Sequence, residues 1–356
     1  MLTCKLLVTF LLTCSLWSAS AAPVELRTWA WLPGSPVGDS FARYIEDFHS
    51  THSDIRISVE KGSKEQELVV AFAAGVAPDL VQGLGPWATA LGPRGMLLPL
   101  DAYIDGPNGF RRDEFVDDLW SFSEVRGKTY QLAADGNERA LFVATEVADG
   151  CGIDTSGPLR DWNDLLGWAR KMTLRTSDGV ERWGFDMYQE NGGNRWHWIW
   201  LNEGEILAQD RSRAMLDHPN TIEALEFASD MVNVFGVSPR PGALKGSSQG
   251  NFTNGLYGMM ISQGIFITKL QQAGKDFVTI PGPPGPGKRG YRFSGATSST
   301  MSIVSSTKHA DEAWQFIRFL MYENGVQFAD DRGGIPYLKK GLRSARFHEA
   351  AVAGPC

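Results

Sequence analysis

The sequence lacks the excess of positive charge that proteins need to bind nucleic acids or anionic membranes. Lysine and arginine together number 34, against 41 aspartates and glutamates, so the formal net charge is −7. The isoelectric point is near 5.5, and no five consecutive residues carry the same charge. Because clustered positive charge attracts phosphate-rich partners, we exclude these two classes of function.

Metal-binding patterns are also missing from the sequence. The six histidines are scattered along the chain, and they do not combine with cysteines or carboxylates into a metal-binding motif. Cysteine is scarce: Cys4 and Cys14 lie near the N-terminus, and Cys151 and Cys356 are too far apart to form such a motif. We therefore predict neither a metal ion nor another cofactor.

Long hydrophobic runs are limited to the N-terminus. Lys5 precedes the apolar run Leu6–Trp17, and small residues follow at Ala19–Ala21. This order is typical of a secretory signal peptide, and the run is too short to span a bilayer. We predict a signal peptide at residues 1–21, a mature chain that begins near Ala22, and a periplasmic location.

Export changes the expected chemistry of the cysteines. An oxidising compartment permits a disulfide between Cys151 and Cys356, with two free thiols as the alternative. Cys14 ends the sequence LLTC, which is similar to a lipoprotein signal, although Thr13 stands where Gly, Ala or Ser is usual. Lipid anchoring at Cys14 is therefore an alternative to a soluble periplasmic form.

The composition, with 43% hydrophobic and 21% charged residues, is that of a globular protein, and its length suits two domains. Strand and helix patterns alternate after the signal peptide, which predicts an α/β fold with a parallel sheet. The predicted strands are 24–31, 54–60 and 78–82, and the predicted helices between them are 39–49 and 64–74.

The rest of the chain is also predicted to contain both helices and strands. Two extended runs around a polar turn are predicted at 127–145, and the Gly/Pro-rich segment 281–290 predicts a surface loop. The other predicted elements are a helix at 161–172, a strand at 182–187, a helix at 221–235, a strand at 299–305 and a helix at 309–324.

Two short motifs match those of hydrolases, which keeps a hydrolase as an alternative. GSSQG (246–250) fits the G-x-S-x-G pattern around Ser248, but no buried strand precedes it, so a helix capped by Ser247 or Ser248 is the better interpretation. SSTK (305–308) fits S-x-x-K without its companion motifs. A glycosidase needs only two carboxylates, for which Asp135, Glu138 and Glu203 are candidates without a reason to pair them.

The stretch GNRWHWIWLNEG (193–204) holds three of the chain's 12 tryptophans. Trp196, Trp198 and Trp200 alternate, with His197 between the first two. A core strand, a catalytic or metal-binding histidine, and a flat apolar surface for a ligand each account for this pattern. The lack of metal spacing makes His197 a polar filler among the tryptophans.

Several segments in fixed order resemble the family 1 extracellular solute-binding proteins, the sugar-binding components of ABC importers. They extend over nearly all of residues 24–340. These segments are LRTWAW, FARYIEDFHSTHSDIRISVE, FAAGVAPDLVQ, RGMLLPLDAYI, GKTYQLAADGNERALFVAT, GCGIDTSGPLRDWNDLLGWARKMT, FTNGLYGMMISQGIF, DEAWQFIRFLMYENGVQ and GGIP.

The resemblance implies two α/β lobes with a ligand cleft between them and hinge strands that cross from one to the other. Lobe one would comprise residues 22–132 and 296–340, and lobe two residues 133–295. Residues 341–356 would form a short C-terminal tail, where family members usually return to lobe two and often supply a cleft aromatic. Thr145 also departs from the usual Asn or Asp at the end of the second crossing strand.

The resemblance also implies a set of ligand-binding residues. Sugars have apolar C–H faces and many hydroxyls, so their sites combine flat aromatic rings with polar side chains. Gly264 and Phe266 lie in QGIF, where many family members have tryptophan. The expected ligand-binding residues are Trp31, Trp87, Glu138, Trp196, Trp198, Gly264, Phe266 and Arg292.

The predicted function is therefore a binding protein that captures a mono- or oligosaccharide and delivers it to the membrane subunits of an ABC importer, without chemistry on the ligand. We expect a monomer. An exported glycosidase or an esterase that uses Ser248 is the alternative. A polyol, a glycerol phosphate or a short peptide is an alternative ligand, and Arg139 and Arg292 are the cations that phosphate would need.

Overall fold

The structure is a computed structural model that describes most of the chain. Described are residues 22–31, 36–62, 64–83, 85–133, 135–137, 139–187, 193–208, 212–289, 296–297, 299–332 and 334–343. The predicted signal peptide at 1–21 and most of the predicted tail lie outside these residues. Among the helices that are described, none combines the length and apolar character required to cross a bilayer.

The strands are short and spread along the chain. They are β1 Val24–Ala30, β2 Ile55–Lys61, β3 Leu80–Gly83, β4 Glu124–Val125, β5 Lys128–Thr129, β6 Leu132–Ala133, β7 Asp135–Asn137, β8 Arg139–Ala144, β9 Leu174–Thr176, β10 Gly179–Asp186, β11 Tyr257–Gln263, β12 Phe277–Ile280, β13 Ala296–Thr297, β14 Thr300–Ile303 and β15 Ile335–Pro336.

The helices alternate with these strands. They are α1 Pro36–Thr51, α2 Glu65–Ala73, α3 Pro86–Leu91, α4 Asp101–Ile104, α5 Asp117–Trp120, α6 Thr145–Gly150, α7 Trp162–Met172, α8 Gly193–Leu201, α9 Pro219–Asn233, α10 Ser248–Thr253, α11 Ile265–Gln272, α12 Ala310–Arg318 and α13 Gly325–Asp331. Short 3-10 helices lie at Arg112–Glu114 and Gly341–Arg343, and a π-helical turn at Phe319–Glu323.

Two five-stranded sheets organise the molecule. The first sheet has the order β2-β1-β3-β14-β6 and the second has the order β12-β8-β11-β10-β9. In the first, β1 pairs parallel with β2 and β3, whereas β14 runs antiparallel to β3 and β6. In the second, β10 and β11 are parallel. The predicted α/β class with parallel pairing is confirmed.

Each sheet has its own hydrophobic core. Every cluster of buried apolar residues in the described part of the chain draws on strands of only one of the two large sheets. Apolar residues at helical spacing on α1, such as Phe41, Ile45 and Phe48, pack against the first sheet. Leu165, Ala169 and Met172 of α7 do the same for the second sheet. Burial of these apolar faces is the main force that holds each unit together.

The chain passes between the two sheets through a small third sheet. Its order is β13-β7-β15. β7 lies on the path from β6 of the first sheet to β8 of the second, and β13 lies on the return path to β14. Ala133 is paired with Thr300 in the first sheet, so that sheet extends one residue beyond the predicted limit at 132. The exact lobe boundaries stay a prediction.

The Gly/Pro-rich segment is a loop, but the prediction that it lies at the surface is wrong for its first half. Gly282, Pro283 and Gly285 are buried, and the indole of Trp162 donates a hydrogen bond to the carbonyl of Pro283 at 3.0 Å. A Cβ at Gly285 would lie 1.8 Å from the amide oxygen of Asn202. Because Gly282 and Gly285 have no side chains, this loop can pack directly against α8 and the residue that follows it.

Candidate functional site

In both large sheets, the carboxyl ends of strands lie beside the connection between the sheets. In the first sheet, the carboxyl end of β3 at Gly83 is paired with Thr300, which is in turn paired with Ala133 at the end of β6. The chain then enters the second sheet at Arg139, which is paired with Gln263 at the carboxyl end of β11. Ligands in α/β proteins bind at such carboxyl ends, so these two edges form the candidate site.

Buried polar side chains form the edge of the first sheet. Gln82 is 1% exposed, and its amide nitrogen donates to the hydroxyl of Ser299 at 2.9 Å. Its amide oxygen accepts a hydrogen bond from the backbone N–H of Trp31 at 3.3 Å. Trp31, directly after β1, is partly exposed. The edge therefore contains neutral polar groups that hydrogen-bond to one another, beside a partly exposed tryptophan.

Trp87 lies close to this edge but points into the core. Its side chain is 4% exposed, and a Cβ at Gly83 would lie 2.7 Å from its ring. The ring packs with Leu91 and Tyr130 in a hydrophobic cluster under the first sheet. As placed here, Trp87 has no free face for stacking, and its contact with a ligand stays a prediction.

The tryptophan-rich stretch is helix α8, and the helix separates its three rings. Trp198 is 1% exposed and contacts Trp162 and Phe185, with ring centroids 5.9 and 5.7 Å away. Trp200 packs against the same core, whereas Trp196 is 40% exposed. Trp198 is a core residue as placed here and its ligand contact stays a prediction, whereas Trp196 is the most exposed ring of this stretch.

His197 is a buried neutral histidine beside the second edge. Its side chain is 0% exposed, and a Cβ at Gly282 would lie 2.6 Å from its Nε2. Burial, together with the positive charge of Arg139, lowers the pKa of His197 to about 3. His197 therefore carries no charge at neutral pH, and its role as a polar filler in this stretch agrees with the prediction.

The QGIF segment places its two predicted residues differently. Gly264 follows β11 directly and is partly exposed at the second edge. Phe266 in α11 is 1% exposed and packs on Phe142 and Phe252, with centroids 5.5 and 6.0 Å away. Phe266 is a core residue as placed here, and a ligand contact from its ring stays a prediction.

Three predicted residues lie outside the part of the chain that the structure describes: Glu138, Arg292 and Cys356. Cys151 is partly exposed, and its thiol donates to the carbonyl of Lys171 at 3.4 Å. The Cys151–Cys356 disulfide therefore stays a prediction, as do the ligand contacts of Glu138 and Arg292.

In the described part of the chain, the motif around Ser248 does not form a catalytic arrangement. Ser248 is the first residue of α10, and the hydroxyl of Ser247 caps that helix by accepting from the N–H of Gly250 at 3.1 Å. The loop before it has no strand, so Ser248 is not on a nucleophile elbow. The carboxylate of Glu203 accepts from the N–H of Arg289 at 3.0 Å. Among the described residues, no group of three or more acidic, His or Cys side chains can hold a metal ion.

The sequence prediction missed the polar residues at the strand ends. Gln82 is the next-to-last residue of β3 and Gln263 ends β11, while Asp186 ends β10 and is 3% exposed. Each of them lies at the end of a largely apolar run in the sequence, in LVQ, MMISQ and WGFD. A polar side chain at the carboxyl end of a buried strand is the signal that would have found them.

Comparison with known proteins decides the family. The sequence profile of the bacterial extracellular solute-binding proteins matches residues 43–353. The chain belongs to this family. Because members of this family are extracellular proteins that bind solutes, the predictions of a binding protein and of export are confirmed, and the hydrolase alternative is wrong.

Relatives of this solute-binding protein support the assignment. A binding protein of Brucella abortus (strain 2308) is 26% identical over 335 residues, which make up 91% of this chain and 78% of the relative. The maltotriose-binding protein of Pyrococcus abyssi (strain GE5 / Orsay) is 24% identical over 315 residues, 85% of this chain and 64% of that protein.

Solved structures show the same fold. The ABC substrate-binding protein Lmo0181 of Listeria monocytogenes, in complex with cycloalternan, matches this solute-binding protein with a TM-score of 0.80 at 19% identity. The match covers 94% of this chain and 84% of that chain. The predicted two-lobe fold of the periplasmic binding proteins is thereby confirmed.

Proposed function

We propose that this solute-binding protein captures a carbohydrate between its two lobes in the periplasm and delivers it to an ABC importer. The observation that carries the proposal is the chemistry of the two sheet edges. The neutral polar groups of Gln82, Ser299 and Gln263 lie there, the partly exposed Trp31 directly follows β1, and Trp196 on α8 adds an exposed ring in the second lobe.

A sugar matches this combination of groups. Its apolar C–H faces stack on flat rings, and its hydroxyls exchange hydrogen bonds with amides and hydroxyls. Arg139, which is 9% exposed, supplies one cation to the second edge, and His197 is neutral because burial lowers its pKa. A phosphate ligand is better served by two or more cationic side chains, so this chemistry favours a neutral ligand.

The similar proteins support an oligosaccharide as the ligand and a transporter as the partner. The Pyrococcus protein is a maltotriose-binding protein, and the structure of the Listeria substrate-binding protein is a complex with cycloalternan. The proposed lobes are residues 22–132 with 296–340 and residues 133–295, with 341–356 as a tail. The strand partition supports limits close to these, since the second sheet draws only on residues 139–280 and the first on residues before and after them, with Ala133 still in the first sheet.

Thermal unfolding of the protein against mono-, di- and oligosaccharides, polyols and glycerol phosphates tests the proposal. A ligand at about a hundredfold above its dissociation constant adds roughly 2.7 kcal/mol to the free energy of unfolding. We expect stabilisation by one class of sugar, with that sugar recovered intact. Stabilisation by a glycerol phosphate alone, or by no member of the panel, contradicts the carbohydrate proposal.

Variants at Trp196 connect the effect to the site. Trp196→Ala removes an exposed stacking surface and should weaken sugar binding about tenfold or more, since an aromatic contact contributes on the order of 1 kcal/mol beyond its buried area. Trp196→Phe is the matched control, because it keeps a flat ring and should retain most of the affinity. Equal affinities for the alanine variant and the unmodified protein in calorimetric titration exclude Trp196 from the site.

A further inference from the structure

A buried ion pair lies on the connection between the two lobes. The Nε of Arg332 is 3.1 Å from the Oδ2 of Asp135, and the two side chains are 1% and 2% exposed. Asp135 is the first residue of β7, and Arg332 directly follows α13. Both charges are thus withdrawn from water at the point where the chain leaves lobe one.

Arg332 is fixed to lobe one through helix α13. Phe328 of this helix is fully buried and packs edge-on against Tyr44 of α1 at 5.1 Å. The guanidinium of Arg332 lies over the ring of Phe328, 4.9 Å from its centroid. The hydroxyl of Tyr44 also donates to Asp331 at 3.2 Å. The cationic partner of the pair therefore moves with the lobe-one core.

The neighbours of Asp135 are fitted closely to lobe one as well. A Cβ at Gly334 would lie 2.5 Å from the Cβ of Asp135, and a Cβ at Gly136 would lie 2.8 Å from the side chain of Leu119. The backbone of β7 is paired with β15 through Pro336 and Ile335. Residues 135 and 136 are thus held on lobe one by an ion pair, by close packing and by strand pairing.

A buried ion pair of this kind fixes the geometry of its surroundings more than it adds to the stability of the protein. An arginine stays protonated when it is buried, so its charge needs the carboxylate of Asp135. The cost of removing both charges from water offsets most of their attraction, and an apolar pair of similar volume is often as stable. The ion pair instead holds β7 and the end of α13 in one defined arrangement.

We propose that the Asp135–Arg332 pair is a clamp that assigns the first half of the crossing strand to lobe one and so sets the resting angle between the lobes. The lobes then rotate about the part of the crossing connection that follows Gly136 and about the facing strand β13. Asp135 and Arg332 are positioning residues in this proposal. They act on the cleft through the hinge and do not contact the ligand.

The distance between two spin labels, one on each lobe, tests the clamp without any ligand. Val70 on α2 and Val234 at the end of α9 are 69% and 67% exposed, and each is replaced by cysteine in a chain whose Cys4, Cys14, Cys151 and Cys356 are serines. Pulsed electron spin resonance of the ligand-free protein should give one narrow distance distribution. Asp135→Asn, which keeps the shape and removes the charge, should broaden this distribution about twofold or displace it by several ångströms.

A second variant separates the hinge from simple loss of stability. The double variant Asp135→Leu with Arg332→Met replaces the pair by apolar side chains, and we expect a melting temperature close to that of the original with the same broadened distribution. Glu60→Gln is the matched control, since it removes one carboxylate from an ion pair of lobe one, with Arg27, and leaves Asp135, Arg332 and their contacts in place. It should leave the distance distribution unchanged.

An unchanged narrow distribution in either folded variant at Asp135 overturns the proposal. The same holds for a control variant that broadens the distribution as much as Asp135→Asn does. Because no ligand is used, this result is independent of whether the cleft binds a carbohydrate.

Discussion

Gly83 and Trp87 show at the residue scale how a missing side chain determines where a ring lies. A Cβ at position 83 would lie 2.7 Å from the Trp87 ring. We expect Gly83→Ala to lower the free energy of unfolding by about 1–3 kcal/mol, because the buried ring must shift in a packed core. Denaturant unfolding measures the change.

Gly167→Ala is the control for this prediction. Gly167 lies inside α7, and a Cβ there would meet nothing within 4 Å. Alanine in a helix interior is more favourable than glycine by roughly 0.5–1 kcal/mol, so this variant should be slightly more stable than the original protein. A Gly83→Ala variant with unchanged stability would show that the Trp87 ring moves freely.

The residue scale also shows what sequence alone could and could not give for the site. Trp31 and Trp196 are accessible, whereas Trp87, Trp198 and Phe266 are buried. All five have the same aromatic character in the sequence, and their exposure depends on helix phase and on partners far along the chain. Trp198, for example, is covered by α7 and α9 through Trp162 and Phe227. Neither contact is visible in a local pattern.

At the element scale, helix α10 depends on one hydroxyl. Ser247 accepts the hydrogen bond from Gly250 that caps the helix, and Ser248 is the first helical residue. Ser247→Ala should lower the free energy of unfolding by about 1 kcal/mol through loss of this cap. Ser248→Ala should change it by less than about 0.5 kcal/mol, and the two variants are compared by thermal unfolding. A larger loss for Ser248 would contradict the assignment of the cap.

Elements with strong local patterns were predicted well. The strand predicted at 24–31 is observed at Val24–Ala30, and the helix predicted at 161–172 at Trp162–Met172. Their apolar periodicity reflects the face that they bury. The segment 127–145 was predicted as two extended runs but forms four strands. β7 arises there because it pairs with β13 and β15, which are distant in sequence.

At the scale of the whole molecule, the free energy of unfolding depends on pH through buried groups such as His197. Burial lowers its pKa from 6.5 to about 3, so between these values the unfolded chain binds one more proton than the folded chain. The free energy of unfolding therefore decreases as the pH falls below about 6.5, by at most about 1.4 kcal/mol per pH unit from this residue. This contribution is fully present above pH 6.5.

His197→Gln should remove this dependence. Between about pH 7 and pH 5, the original protein should lose about 2 kcal/mol more than the variant in denaturant unfolding. Burial also lowers the pKa of His49, but that residue contributes equally to both proteins and cancels in the comparison. Parallel stability curves for the two proteins would show that His197 is accessible to protons in the folded state.

The position of β14 has a consequence for the order in which the protein folds during export. β14 lies between β3 and β6 and is the partner that joins them, yet it follows all strands of the second sheet in the chain. A chain that emerges from its N-terminus must therefore keep one side of β3 unpaired while the whole second lobe appears. Unpaired strand edges attract other chains, and such intermediates are prone to aggregate. The second lobe can complete its sheet first, and the time until β14 arrives is the period in which the first lobe most needs protection by chaperones.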